Sequence, residues 1–148
     1  MMPGDPSLPG EAILNLVDRL PAEFRTVRYD GARIPDGLHD LSAGANCQLY
    51  AYAVLAQFGL RLPPLRSSEL WADMEATRQV TDFEPLDLLL FGPDGEPFGA
   101  HVAVYAGEGR ALHLCKSVGQ PVIWPLEQFA DRPEYRVLIG GKRVSSHR

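Results

Sequence analysis

The chain of 148 residues has only two cysteines, Cys47 and Cys115, too few for a disulfide scaffold. Two free thiols suit a reducing compartment, whereas a Cys47–Cys115 bridge, which the count also allows, would leave no thiol for chemistry. Runs of Lys or Arg are absent, and 14 basic against 19 acidic residues give a formal net charge of −5. That balance argues against nucleic acid or an anionic membrane surface as the main partner. No segment approaches the length of a membrane span, and Met1-Met2-Pro3-Gly4-Asp5-Pro6-Ser7-Leu8-Pro9-Gly10 has neither a basic nor an apolar signal region. The expectation is a cytoplasmic protein, unless another route exports it. Repeats and low-complexity tracts are missing as well. With 45% hydrophobic and 22% charged residues the chain has the composition of a globular protein, and its length fits one domain. Residues 1–10 are expected to form a flexible leader and 144–148 a frayed tail.

What the chain does have is a cysteine at the start of a well-marked helix. Asn46 is a good N-cap and Gly59 a good residue to follow the helix end. Between them Leu49, Tyr50, Ala53, Val54, Gln57 and Phe58 recur at three-four spacing, which predicts one apolar stripe. Cys47 falls in the first turn. Unpaired N–H groups and the helix dipole favour a thiolate there, so the position suits a nucleophile. The competing reading is a buried cysteine acting as a small hydrophobe.

Upstream, Ile13, Leu14, Val17 and Leu20 mark a short amphipathic helix over residues 11–20, stopped by Pro21. Residues 30–45 turn to Gly, Pro, Asp, Ser and His and read as a loop feeding the Cys47 helix. Downstream, Pro63 and Pro64 force an extended connector, and a second helix is predicted from Ser67 or Ser68 to about Arg78. Five short apolar or β-branched runs follow, at 86–91, 102–105, 111–114, 122–124 and 135–139. Residues 91–97 and Gly107-Glu108-Gly109 read as hairpin turns, and 125–129 as a short helix or turn. Helices first and strands afterwards predict an α+β fold, an antiparallel sheet packed against N-terminal helices.

His101 opens one strand run and His113 lies in the next, across the Gly107-Glu108-Gly109 turn. Adjacent antiparallel strands put such side chains within reach of each other. A thiol, an imidazole to take its proton and a polar group to hold the imidazole make a cysteine acyl-transfer site. One candidate is present for each role. Zinc binding by Cys47, His101, His113 and Cys115 would use the same residues, but His113-x-Cys115 lacks the usual ligand spacing. His39 could reach a cleft from the loop, and Cys115 could share a face with His113. Trp71 and Trp124 could line the cleft or pack in the core.

Over about residues 40 to 140 these features, in this order, resemble the NlpC/P60 family of papain-like cysteine peptidases. The resemblance rests on Asn46-Cys47, on Leu62-Pro63-Pro64-Leu65-Arg66-Ser67-Ser68, on Pro85-Leu86-Asp87-Leu88, on His101-Val102-Ala103-Val104-Tyr105-Ala106-Gly107 and on Leu112-His113. It implies Cys47 as nucleophile, His101 as general base and then acid, and His113 as the group orienting the His101 ring. The backbone N–H of Cys47 would serve the oxyanion. It also implies a hydrolase with no metal or cofactor, acting on a small peptide or a peptidoglycan fragment, typically between D-glutamate and diaminopimelate.

Two departures stand out. The family usually reads Asp-Cys-Ser-Gly where this chain has Asn46-Cys47-Gln48-Leu49, and its tyrosine about a dozen residues before the cysteine is replaced by Pro35-Asp36-Gly37. Tyr29 is the nearest tyrosine and would need a longer loop to reach the site. An acyltransferase on the same scaffold, a non-wall amide substrate and a catalytically silent binding module are the rival expectations.

Overall fold

The structure, a computed structural model, describes residues 16–145. The expected leader and most of the first helix lie outside them; residues 16–18 are helical and Leu20 is buried. The remaining helices are α1 (Glu23–Thr26), α2 (Cys47–Gln57), α3 (Ser67–Ala72) and α4 (Leu126–Ala130). Six strands, β1 (Thr77–Val80), β2 (Leu88–Gly92), β3 (His101–Gly107), β4 (Arg110–Leu114), β5 (Pro121–Pro125) and β6 (Val137–Val144), form one antiparallel sheet in the order β1-β6-β2-β3-β4-β5. The fold class is therefore α+β, as expected.

Both faces of this sheet are covered, which explains why its central strands read as unbroken apolar runs. On one face Leu88, Leu90, Val102, Val104, Leu112 and Leu114 pack against α2. On the other Leu89, Phe91, Ala103 and Ala111 meet Trp124 and Phe129 under α4. The α2 helix is correspondingly buried all round, from Gln48 to Leu55, rather than along the single stripe predicted. Its tyrosines tolerate burial because their hydroxyls donate to backbone carbonyls, Tyr50 to Phe24 and Tyr52 to Leu65, each at 2.8 Å.

Both ends of α2 are held as the sequence predicts. Asn46 Oδ1 accepts from the Leu49 N–H at 2.8 Å. At the other end Gly59 takes φ +82°, and the Gly59 and Leu60 N–H groups return to the carbonyls of Ala56 and Leu55 at 3.1 and 3.0 Å.

Two stretches differ from expectation. The second helix stops at Ala72 rather than near Arg78, and Thr77–Val80 is a strand. The cause is Asp73, whose carboxylate accepts from the Ala76 and Thr77 N–H groups and the Thr77 hydroxyl, turning the chain out of the helix. At the C-terminal end Val144 pairs with Thr77, so β6 runs into the stretch expected to fray; residues 146–148 lie outside the described residues. Tyr135, expected in the last strand, closes a 3-10 turn (Pro133–Tyr135) instead.

Candidate active site

Asn46 starts α2 so that Cys47 projects from its first turn over the beginning of β3. The N–H groups of Val102, Gln48 and Cys47 itself face the sulfur and, with the Arg66 guanidinium, pull its pKa down. Burial pushes the thiol up and outweighs them. The low pKa expected of a helix-start cysteine is thus overridden by desolvation. Cys47 is half-buried, and neither it nor Cys115 is in a disulfide.

His101 is the first residue of β3, and His113 lies on β4 with its side chain on the same face. Their rings meet: His101 Nε2 and His113 Nδ1 are 2.8 Å apart. Burial lowers the pKa of both imidazoles, and the neighbouring His101 and the Arg132 charge lower His113 further. His113 is 1% exposed and its Nε2 has no hydrogen-bond partner among the described residues. That nitrogen sits among aromatic rings, with Trp124 and Phe129 centred 4.4 and 4.5 Å from the imidazole.

Cys47 and His101 line one open cleft of about 720 Å³, together with Tyr29, Lys116, Glu134 and Tyr135. A second arm of about 320 Å³ runs from Cys47 the other way, past Gln48, Arg66, Ser67, Ser68 and the exposed ring of Phe98. Cys47 belongs to both arms and His101 only to the first. A larger polar cavity of about 840 Å³ reaches Tyr29 and Lys116 from the far side and contains neither Cys47 nor a histidine.

No family model matches the chain, and no curated protein does. Solved structures do. The chain is similar to a lipoprotein-like NLP/P60 family protein of Staphylococcus aureus (19% identity, TM-score 0.60), covering 99% of this chain and 46% of that one. It is similar to the NlpC/p60 domain of the peptidoglycan hydrolase SagA (20%, TM-score 0.55), covering 94% of this chain and 100% of that domain. It also resembles the peptidoglycan hydrolase RipB of Mycobacterium tuberculosis (21%, TM-score 0.57), with 93% of this chain and 67% of that one covered. The fold is that of the NlpC/P60 proteins. At these identities the likeness is one of fold, and this chain spans less than half of the staphylococcal protein.

Set on the NlpC/P60 fold, the two departures in the sequence take a definite form. Gln48, in place of the family's serine, is buried: its Nε2 donates to the Leu65 carbonyl at 3.1 Å and its Oε1 accepts from Arg66 Nε at 3.4 Å. It lies in the wall of the second arm and ties down that arm's cation, Arg66. Tyr29 reaches the site by the longer loop: it bridges to Ala45, two residues before Cys47, and lines both arms.

The other candidates fall elsewhere. His39 lines neither arm and has its pKa lowered by burial and by Arg61. Trp71 packs over Gly140, and Lys142 Nζ lies 5.8 Å from its ring centre. Trp124 is buried behind His113, and Cys115 is buried with its sulfur 3.5 Å from the Ser117 hydroxyl. Phe98, Lys116, Glu134 and Tyr135 were not singled out as site residues in the sequence, and Arg66 entered only within the Leu62–Ser68 segment. Each sits on a turn, a loop or a helix end and carries no periodic signal, so only the fold brings it to the cleft.

Proposed function

We propose that the protein is a cysteine hydrolase that cleaves an amide bond in small peptides, the best candidates being peptidoglycan stem peptides of the D-glutamyl-diaminopimelate type. The observation that carries this reading is the 2.8 Å contact of His101 Nε2 with His113 Nδ1, with His101 and Cys47 lining one cleft. The description of two fold neighbours as peptidoglycan hydrolases supports the substrate class.

In this mechanism His101 Nδ1 takes the thiol proton as Cys47 Sγ attacks the carbonyl carbon. The S–C bond forms, the carbonyl π pair moves to oxygen, and the Cys47 N–H donates to the oxyanion. On collapse the C–N bond breaks and the leaving amine takes the proton back from His101. Water then gives a proton to His101 as its oxygen bonds the acyl carbon; the S–C bond breaks, the acid leaves, and His101 returns the proton to the Cys47 sulfur. The arm that contains His101 consequently holds the leaving group and the Arg66 arm holds the acyl group.

His113 accepts from the His101 Nε2–H throughout, which assigns its own proton to the buried Nε2. Burial keeps Cys47 and His101 neutral at rest, so the proton moves during attack rather than before it.

The test is mass spectrometry of diaminopimelate-containing wall peptides incubated with the protein or with Cys47→Ala. A cut made by the wild type and lost in the variant, whose thermal unfolding stays nearly unchanged, is the expected result. Equal cutting by both would exclude Cys47 as nucleophile.

A further inference from the structure

A hydrogen bond at Nε2 alone leaves the His101 ring free to pivot about the axis through that nitrogen, and the pivot would move Nδ1, the atom to which the proposed mechanism gives the Cys47 proton. The ring of Tyr135 blocks that motion. It lies on the imidazole with centroids 4.4 Å apart and planes 24° from parallel. The other rings near His101 are edge-on or farther: His113 at 5.0 Å and 81°, Phe129 at 6.4 Å and 38°.

The turn that carries Tyr135 is tied down on two sides. On one, Arg132 lies 4.9 Å over the Trp124 ring, contacts the Ser117 hydroxyl at 3.4 Å and pairs with Glu134 at 3.7 Å. On the other, Arg136 Nε donates to the Pro93 carbonyl at 3.0 Å. The Tyr135 N–H closes the turn onto Arg132 O at 3.0 Å. Pro93, Ser117 and Tyr135 are all cleft residues, so the anchors of the turn are built into the walls of the site.

We propose that Tyr135 is a positioning residue: its ring, carried on a turn anchored through Arg132 at Trp124 and through Arg136 at the loop after β2, fixes the plane in which His101 bonds His113 and faces Cys47, and keeps water off the imidazole. The inference rests on the reading of His101 as the proton-transfer group. Its work is done by the ring and not by the hydroxyl.

The test follows the His101 titration by NMR in the wild type, Tyr135→Phe and Tyr135→Leu, beside turnover of the wall peptide. The groups facing His101 are His113 on β4, Cys47 on α2, Tyr135 and Glu134 on the turn, and Tyr29 and Lys116 across the cleft. All but residue 135 are unchanged in the series. Phe is expected to titrate and turn over like the wild type. Leu is expected to raise the His101 pKa by about one unit or more as water reaches the ring. It should also lower kcat on the order of tenfold at constant KM through lost orientation. If Leu unfolds, Tyr135→Met, flexible and non-aromatic, carries the same comparison.

A Leu or Met variant that titrates and turns over like the wild type overturns the proposal, and so does a Phe variant as impaired as Leu. If the wild type cuts no wall peptide, the substrate reading fails while the titration still judges Tyr135.

Discussion

Cys47 sits where helix N–H groups and a guanidinium favour a thiolate, yet burial dominates and its pKa is raised, while that of His101 is lowered. The sign of each shift gives the same resting state, a neutral thiol beside a neutral imidazole. Alkylation of Cys47 by iodoacetamide should therefore climb with pH up to and beyond the ordinary thiol range. A rate already at its plateau below pH 7 would reveal a preformed thiolate-imidazolium pair instead. His101 works only when unprotonated, and lowering its pKa extends that form toward acid. The acid limb of kcat/KM should accordingly fall below pH 6.5, the ordinary imidazole value. At this scale the sequence was informative about identity and silent about environment. The meeting of His101 with His113 was legible because strand pairing brings the two histidines together, and the place of Cys47 because Asn46 marks the helix start. Desolvation, the Tyr135 stack and the Gln48–Arg66 tie depend on which chain segments cover the site, and no local pattern carries that.

At the scale of elements, α2 does two jobs, filling the core on one face of the sheet and presenting Cys47 at its first turn. The cap that starts it should matter to both. Asn46→Ala removes the 2.8 Å bond to the Leu49 N–H and is expected to lower stability by about 1 kcal/mol in denaturant unfolding. It should also slow turnover, because the first turn no longer has a fixed start; an unchanged midpoint would show that the cap is dispensable. The caps of α2 and the turn at Gly107-Glu108-Gly109 were readable because Asn, Gly and their spacing act locally. The end of α3 was not, since it depends on Asp73 gathering three donors from residues 76 and 77. The predicted single stripe on α2 failed for a related reason. Three-four spacing shows one apolar face, but Gln48 and Tyr52, off that face, are buried by pairing their polar ends with the Leu65 carbonyl far along the chain.

For the molecule as a whole, β6 closes the sheet by entering between β1 and β2. Gly140 on this strand is where a side chain cannot fit, because a Cβ there would lie 2.5 Å from the Trp71 ring. Three residues on, Arg143 makes a two-pronged contact with Asp87, Nε to Oδ1 at 2.8 Å and Nη2 to Oδ2 at 2.9 Å. Asp87 is 2% exposed, so removing the cation strands a buried carboxylate. Arg143→Gln is expected to cost about 3 kcal/mol or more in unfolding free energy, with Cys47 alkylation in the folded protein unchanged. A change under about 0.5 kcal/mol would mean that water already compensates the charge. The α+β order of the chain foretold the sheet and its helices, while the insertion of β6 rests on pairings that no nearby residues announce.

The proposed reaction passes through a covalent bond between substrate and Cys47. Intact-protein mass spectrometry after rapid acid quench, during turnover of a diaminopimelate-containing wall peptide, looks for that bond directly. The prediction is a mass increase equal to the acyl fragment, located by digestion to the Cys47 peptide and absent from Cys47→Ala. Product formed at full rate with no adduct in the wild type, and formed equally by the variant, would contradict it.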